Sequence, residues 1–217
     1  KRFLCKKNKQ MKLGVITNQA LKVELLAQGL AATTEIVWLD KPALLPGVDH
    51  YIDLLYSPGD KMNYVFNHHK TGIIIVNDVS GTLKEQPGNF VRINGWPTFL
   101  QKPIVEAACL NVELIITVEN IFACFNKKVE WIADNAGFIT ARVVSMIINE
   151  AYFALEEKVS TKEEIDTAMK LGTNYPFGPF EWSEKIGKKN IVSLLNILET
   201  EKPGHQPAQQ LISEATL

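Results

Sequence analysis

The sequence predicts an α/β chain in two parts: a sheet-and-helix domain over residues 11–135 and an all-helical domain from residue 136 onward. Three observations carry this. Short apolar runs from Met11 alternate with helix-compatible stretches, the pattern of strands joined by crossovers. From Ala136 the apolar residues recur at steps of three and four, the period of a helix. After residue 160, capping and turn residues punctuate that helical pattern.

The elements follow in order. Lys12–Ile16 (KLGVI) reads as a short buried strand, and Asn18 as the cap of a helix running through Leu21, Leu25, Leu26 and Leu30. Glu35–Leu39 is a second strand, ended by Asp40. Tyr51–Tyr56 reads as a strand, Lys61–His69 as a short helix and Ile73–Val76 as an apolar strand leading into a turn-rich loop, 77–83. A strand opens at Phe90, Glu113–Asn126 is helical, and Val129–Ala133 is the last strand. Phe138, Ala141, Ser145, Ile148, Tyr152 and Leu155 line one helix face, which Val144, Ile147, Ala151 and Ala154 widen. Ser160 with Glu163 spells a capping box, and Gly172 is the expected left-handed C-terminal residue of that helix. Two prolines and a glycine stiffen Tyr175–Trp182, Ile191–Leu198 closes the helical part, and the tail after Lys202 is expected to be partly extended.

Composition bounds the function. The 217 residues suit one large domain or two small ones, and 46% hydrophobic with 22% charged residues is ordinary for a globular chain. A net charge of -1 gives no attraction to nucleic acid, and no apolar run reaches a membrane span, so neither is an expected partner. Cys5, Cys109 and Cys124 form no C-x-x-C and no metal spacing, so no metal is expected, and free thiols point to a cytoplasmic protein. The leader KRFLCKKNKQ carries five positive charges and no acid; a loose end and a targeting remnant both fit it. His68 and His69 are neighbours that point about 100° apart on a helix, which suits a helix end better than a shared ligand.

The spelling adds to this. GFI-x-x-R from Gly137, then NEA, EEIDTAMKLG and P-x-GPFEW, resembles the C-terminal domain of the 3-hydroxyacyl-CoA dehydrogenases. The opening MKLGVI resembles the start of the same family. The resemblance implies a truncated Rossmann-like N-terminal domain, a helical C-terminal dimerisation domain, NAD as cofactor, an acyl-CoA-type ligand and a homodimer through residues 136–198. The truncation is internal: the family carries a longer segment between its second strand and the loop at 77.

Carried over position by position, the resemblance implies a site with several departures. Thr17, Gln19 and Lys22 stand where the family has the glycines of G-x-G-x-x-G, and Asp40 stands at its ribose-binding acid or is a solvated strand end. Asn77 and Ser80 are approximate counterparts of its substrate-binding loop. Glu106 matches its catalytic glutamate, and twelve residues earlier Asn94 replaces the histidine base. Ala141 replaces an asparagine. Glu106 without its histidine also reads as a plain surface or strand-end acid. Three functions follow: a degenerate homologue that binds acyl-CoA or a nucleotide with weak or no NAD-dependent oxidation, an active dehydrogenase with an unusual site, and a structural dimeric protein.

Overall fold

The computed structural model describes residues 11–32, 34–69 and 71–216, so the basic leader and Cys5 lie outside the described residues. Among the described residues, seven strands run in chain order: β1 (Lys12–Ile16), β2 (Glu35–Leu39), β3 (His50–Asp53), β4 (Ile74–Asn77), β5 (Phe90–Ile93), β6 (Ile104–Cys109) and β7 (Lys128–Trp131). They form one sheet in the order β2-β1-β3-β4-β5-β6-β7. The β5–β6 pair is antiparallel and the other neighbours are parallel. Because β2 and β3 flank β1 on opposite sides, the chain reverses direction across the sheet there, which makes the carboxyl ends of β1 and β3 the topological switch point.

Alternation along the strands builds two cores. Leu13, Val15, Ile52 and Ile75 face α1 (Gln19–Leu25) and α2 (Ile115–Ala123), which bury Leu25 and Phe122 against them. On the other face Ile16, Tyr51, Ile74 and Val76 meet Val48 and Phe66. That face is covered by loop 40–49 and the 3-10 helix Lys61–His68. A loop crosses from β2 to β3 where a crossover usually carries a helix. Tyr51 fits only because residue 14 is glycine; a Cβ there would lie 2.5 Å from its ring.

Five helices follow: α3 (Thr140–Glu156), α4 (Lys162–Thr173), α5 (Pro179–Ile186), α6 (Lys188–Glu201) and α7 (Gln209–Ala215). Their core contains Ile148, Tyr152, Phe180, Leu194 and Leu211, and it continues into the sheet part through Val79 and Trp96. The α4–α5 junction explains the GPFEW spelling. Asp166 accepts the N–H groups of Phe180 and Glu181 at 2.8 and 3.1 Å, capping α5 from α4. Gly178 is required because a Cβ there would lie 2.2 Å from the Asp166 carboxyl carbon. Trp182 then reaches back to the sheet part, its indole N–H donating to Thr98 Oγ1 at 2.7 Å.

Several expected boundaries move. The first helix ends at Leu25, and Leu30 is exposed beyond it. The third strand stops at Asp53 rather than Tyr56, and a one-turn 3-10 segment, Val112–Leu114, precedes α2. Thr161 with Glu164 forms the capping box of α4, not Ser160 with Glu163; Ser160 instead bonds the Glu164 carboxylate. Asn174, at φ 56°, takes the left-handed position, and Gly172 stays inside the helix. The stretch Tyr175–Trp182 is a turn only to Gly178; Pro179 starts α5 in the first-turn position that suits its fixed φ. The tail folds as α7, since burying Leu211 completely stabilises it by about 1.5–3 kcal/mol. Among the described residues no helix is long and apolar enough to cross a membrane.

Candidate functional site

Asn94 follows β5 directly and pairs across the antiparallel ladder with Glu106 of β6, its N–H donating to the Glu106 carbonyl at 3.0 Å. The side chains meet as well. Asn94 Nδ2 donates to Glu106 Oε2 at 3.0 Å and to Thr140 Oγ1 at 2.9 Å. The Thr140 hydroxyl donates to Glu106 Oε2 at 2.7 Å, and the Thr140 N–H donates to Oε1 at 3.0 Å. Glu106 therefore caps the first turn of α3, where a carboxylate suits the helix dipole. It is a buried strand residue, not the surface or strand-end acid that its isolation in the sequence suggests. Ala141, next along α3, is fully buried in the helical core. A cavity of about 290 Å³ opens beside the cluster, walled by Phe99, Lys102, Ile104 and Glu130.

A second cavity lies at the carboxyl ends of β3, β4 and β5, where open α/β sheets take ligands. This cleft measures about 430 Å³ and is closed on its far side by Ile186, Asn190 and Ser193 of the helical part. From the sheet part come Tyr56 and Ser57 after β3, Asp78 and Ser80 after β4, and Trp96 after β5. Asn77 lines it too, but its amide is already occupied: Nδ2 donates to the Leu54 and Gly95 carbonyls, each at 3.2 Å, and Oδ1 accepts the Gly95 N–H at 2.9 Å. Ser80 lines the cleft from the loop after β4. Burial pushes the Asp78 carboxyl up, with the nearby Arg92 charge acting against it. Arg92 itself is buried, paired with Asp134 and donating to the Asp78 and Val79 carbonyls.

The turn after β1 holds the other expected residues. Thr17 is nearly buried and its hydroxyl donates to the Asn18 carbonyl at 3.0 Å. Asn18 Oδ1 accepts the Leu21 N–H at 2.9 Å and so caps the start of α1. Gln19 is exposed at the first helical position. Lys22 does not crowd the strand; its ammonium rests on the Trp38 ring, 4.2 Å from the centroid. Asp40 is exposed just past β2. Among the described residues, Thr17, Gln19, Lys22 and Asp40 are absent from the lining of the cleft.

Asp53 is the residue that the sequence reading passed over. It ends β3 at the switch point, beside Ile16 of β1. It is buried, its Oδ1 accepts the Leu55 N–H at 2.9 Å, and its Oδ2 has no partner among the described residues. Burial drives its carboxyl up to about 7, Asp60 adding to the effect. An acid inside the apolar run YIDLLY is itself a signal, since lone acids are seldom fully buried. Thr140, the third member of the Asn94–Glu106 cluster, carried no such signal, because a helix-start threonine is ordinary. Lys127 is also buried; it donates to the Leu100 and Lys102 carbonyls at 2.7 and 2.8 Å, and burial lowers it to about 8.

Comparison with known proteins sharpens the helical part first. Residues 137–216 match the family model described as 3-hydroxyacyl-CoA dehydrogenase, C-terminal domain. A 3-hydroxyadipyl-CoA dehydrogenase of Escherichia coli is 48% identical over 73 residues, 34% of this chain and 15% of that protein. A 3-hydroxybutyryl-CoA dehydrogenase of Clostridioides difficile is 28% identical over 134 residues, 60% of this chain and 47% of that protein. The matched part thus spans less than half the length of either relative. The crystal structure of (S)-3-hydroxybutyryl-CoA dehydrogenase from Ralstonia eutropha superposes with a TM-score of 0.72 at 18% identity, over 96% of this chain and 94% of that one. The fold, a Rossmann-like sheet part followed by a helical part, is therefore shared along nearly the whole chain.

Proposed function

We propose that the chain, which resembles the 3-hydroxyacyl-CoA dehydrogenases in sequence and fold, is an internally shortened, divergent homologue. It binds an acyl-CoA-type or nucleotide-type small molecule in the cleft and does not transfer hydride. The observation that carries this is the Asn94 amide. It donates to Glu106 and Thr140, and an amide takes up no proton near neutral pH, so the position expected to hold the base holds a hydrogen-bond strut. Losing a general base costs about 10²–10⁴ in rate. The turn after β1 adds to it, because Asn18 caps the helix end and Lys22 lies on Trp38.

We assign residues 11–135 and 136–217 to two units, with a homodimer through the helical residues 136–198. Ile139, the N-cap of α3, and Val143, one turn on, are 55% and 53% exposed, and Leu171 on α4 is 82% exposed, which supports an apolar contact there. The free thiols of Cys109 and Cys124 suit a cytoplasmic location.

The test is NADH-dependent reduction of a 3-ketoacyl-CoA by the wild type and by an N94H/A141N variant. The wild type is expected to show no rate above buffer. The variant is expected to gain nothing, since restoring the base leaves the turn after β1 unchanged. Wild-type turnover at about 1 s⁻¹ or more, within the ordinary enzyme range, contradicts the proposal. A gain in the variant alone contradicts its cofactor half. For the dimer, light scattering at micromolar concentration should give twice the chain mass, reduced to the monomer by V143E.

A further inference from the structure

The loop between β5 and β6 carries a residue whose backbone conformation its side chain disfavours. Trp96, Pro97, Thr98 and Phe99 form a tight turn, closed by the Phe99 N–H donating to the Trp96 carbonyl at 3.1 Å. Pro97 holds the second position and Thr98 the third, with φ 77°. A turn with Pro second and a positive φ third ordinarily takes Gly or Asn at that third position. A β-branched side chain crowds its own backbone in the left-handed region, so buried Thr98 is strained. Such a conformation persists only where its surroundings hold it.

Both parts of the molecule hold it. From the sheet part, Glu24 of α1 accepts the Thr98 N–H on both carboxylate oxygens, each at 2.9 Å. From the helical part, Trp182 of α5 donates its indole N–H to Thr98 Oγ1 at 2.7 Å, and its ring stacks on Phe99 with 6.1 Å between centroids. The hydroxyl that glycine would lack is the atom that reaches the helical part. The loop is anchored on either side of the turn. Asn77 holds the N–H and the carbonyl of Gly95, and buried Lys127 donates to the Leu100 and Lys102 carbonyls at 2.7 and 2.8 Å.

The same turn is a wall of the cleft. Trp96 and Pro97 line it directly before Thr98, and Ile186, on its helical side, lies one turn after Trp182 on α5. The bond between Thr98 and Trp182 therefore sets the spacing of the two walls. Val79 lines the cleft as well and is buried in the core that the helical part supplies.

We propose that Thr98 is a latch that keeps the cleft in its narrow form: a positioning residue that acts through Trp96 and Pro97, with Glu24 and Trp182 as its two catches. With a catch lost, the turn relaxes toward negative φ and draws Trp96 and Pro97 away from the helical wall. The inference rests on the proposed role of the cleft as a ligand site. Its test uses no ligand, so the latch can fail where that role holds and hold where that role fails.

Hydrogen exchange on the full chain is the first measurement. T98A and T98G both delete the bond to Trp182, but glycine adopts a positive φ without crowding. The amides of Thr98 and Phe99 are expected to exchange roughly tenfold faster in T98A than in the wild type, with β1 and β4 amides unchanged as the control for folding. In T98G they should stay closer to the wild type, although glycine is the more flexible residue. Exchange in T98G as fast as in T98A would mean that the turn stores no strain, and it overturns the latch. E24A should loosen the same amides, and unchanged exchange there overturns it too. The second measurement is alkylation of V79C, read on its own peptide by mass spectrometry. W182F keeps a ring against Phe99 and removes the donor. V79C should react roughly tenfold faster when W182F is added. Equal reaction with and without W182F would make the turn a structural tie with no hold on the cleft, which contradicts the proposal.

Discussion

The helical and sheet parts answer differently to the same family likeness. In the helical part the acids are tied contact by contact. Asp166 caps α5, Glu181 holds Lys170 and the Gly178 N–H, and Glu214 joins Lys162, Lys188 and Tyr152. A change at any of these three acids breaks at least two bonds at once. The sheet part needs only alternating apolar residues to keep its strands in register, and many side chains satisfy that. Its loops are therefore free to carry Thr17, Gln19 and Lys22 after β1, Asn94 after β5 and a buried carboxyl at Asp53. Packing constrains the class of a residue, and chemistry constrains its identity.

Acid should separate the two parts most strongly. Asp53 has its folded value raised from 3.8 to about 7, so its contribution is fully present below about pH 4 and is lost as pH rises through about 7. The span corresponds to up to about 4 kcal/mol at about 1.4 kcal/mol for each unit. Denaturant unfolding at a series of pH values should show stability falling over that window, and D53N should flatten the fall. An unchanged slope in D53N would mean that the acid is solvated or paired.

Next in size is G178A in the helical part. The added methyl meets Asp166 and disturbs both caps of α5, for an expected loss of about 2–3 kcal/mol in thermal or urea unfolding. A neutral result would break the contrast between a tightly specified helical part and a tolerant sheet part. T140V comes third. It removes the hydroxyl between Asn94 and Glu106, with an expected cost of about 1–2 kcal/mol and no new activity.

The smallest effect has the opposite sign to that of Asp53. Burial alone would raise Glu214, but bonds from Lys162, Tyr152 and Lys188 outweigh it and leave the carboxyl lowered from 4.5 to about 2. Its contribution is present above about pH 4.5 and is lost as pH falls toward 2. Because the cluster is partly exposed, solvent screening holds that contribution to about 1 kcal/mol or less. E214Q should therefore weaken the protein slightly at neutral pH and match the wild type near pH 2.

Much of this contrast was legible in the sequence. The strands Lys12–Ile16 and Glu35–Leu39 fall at the positions their apolar runs indicate, and Asn18 caps α1 as its side chain suggests. The helix through Ile148 and Tyr152 follows its spacing. What escaped was tertiary in origin. Helix α5 exists because Asp166 caps it from another helix, and α7 because Leu211 and Glu214 find partners far back in the chain. Neither is written in local propensity. The pairing of Asn94 with Glu106 was visible as a twelve-residue spacing, but the inclusion of Thr140 depends on where α3 begins against β6. The cleft drew Asn77 and Ser80 from one expected motif, while Asn190 and Ser193 came from a helix with no motif at all.

The most direct test of the central claim, that the sheet part kept its topology and lost its cofactor chemistry, is a thermal unfolding titration with NADH. A ligand at a hundredfold its dissociation constant stabilises by about 2.7 kcal/mol, several degrees for a chain of this size. The account predicts a flat response up to millimolar NADH. A saturable rise in the unfolding temperature would contradict it, because it would show the turn at Thr17, Asn18 and Gln19 accepting a dinucleotide.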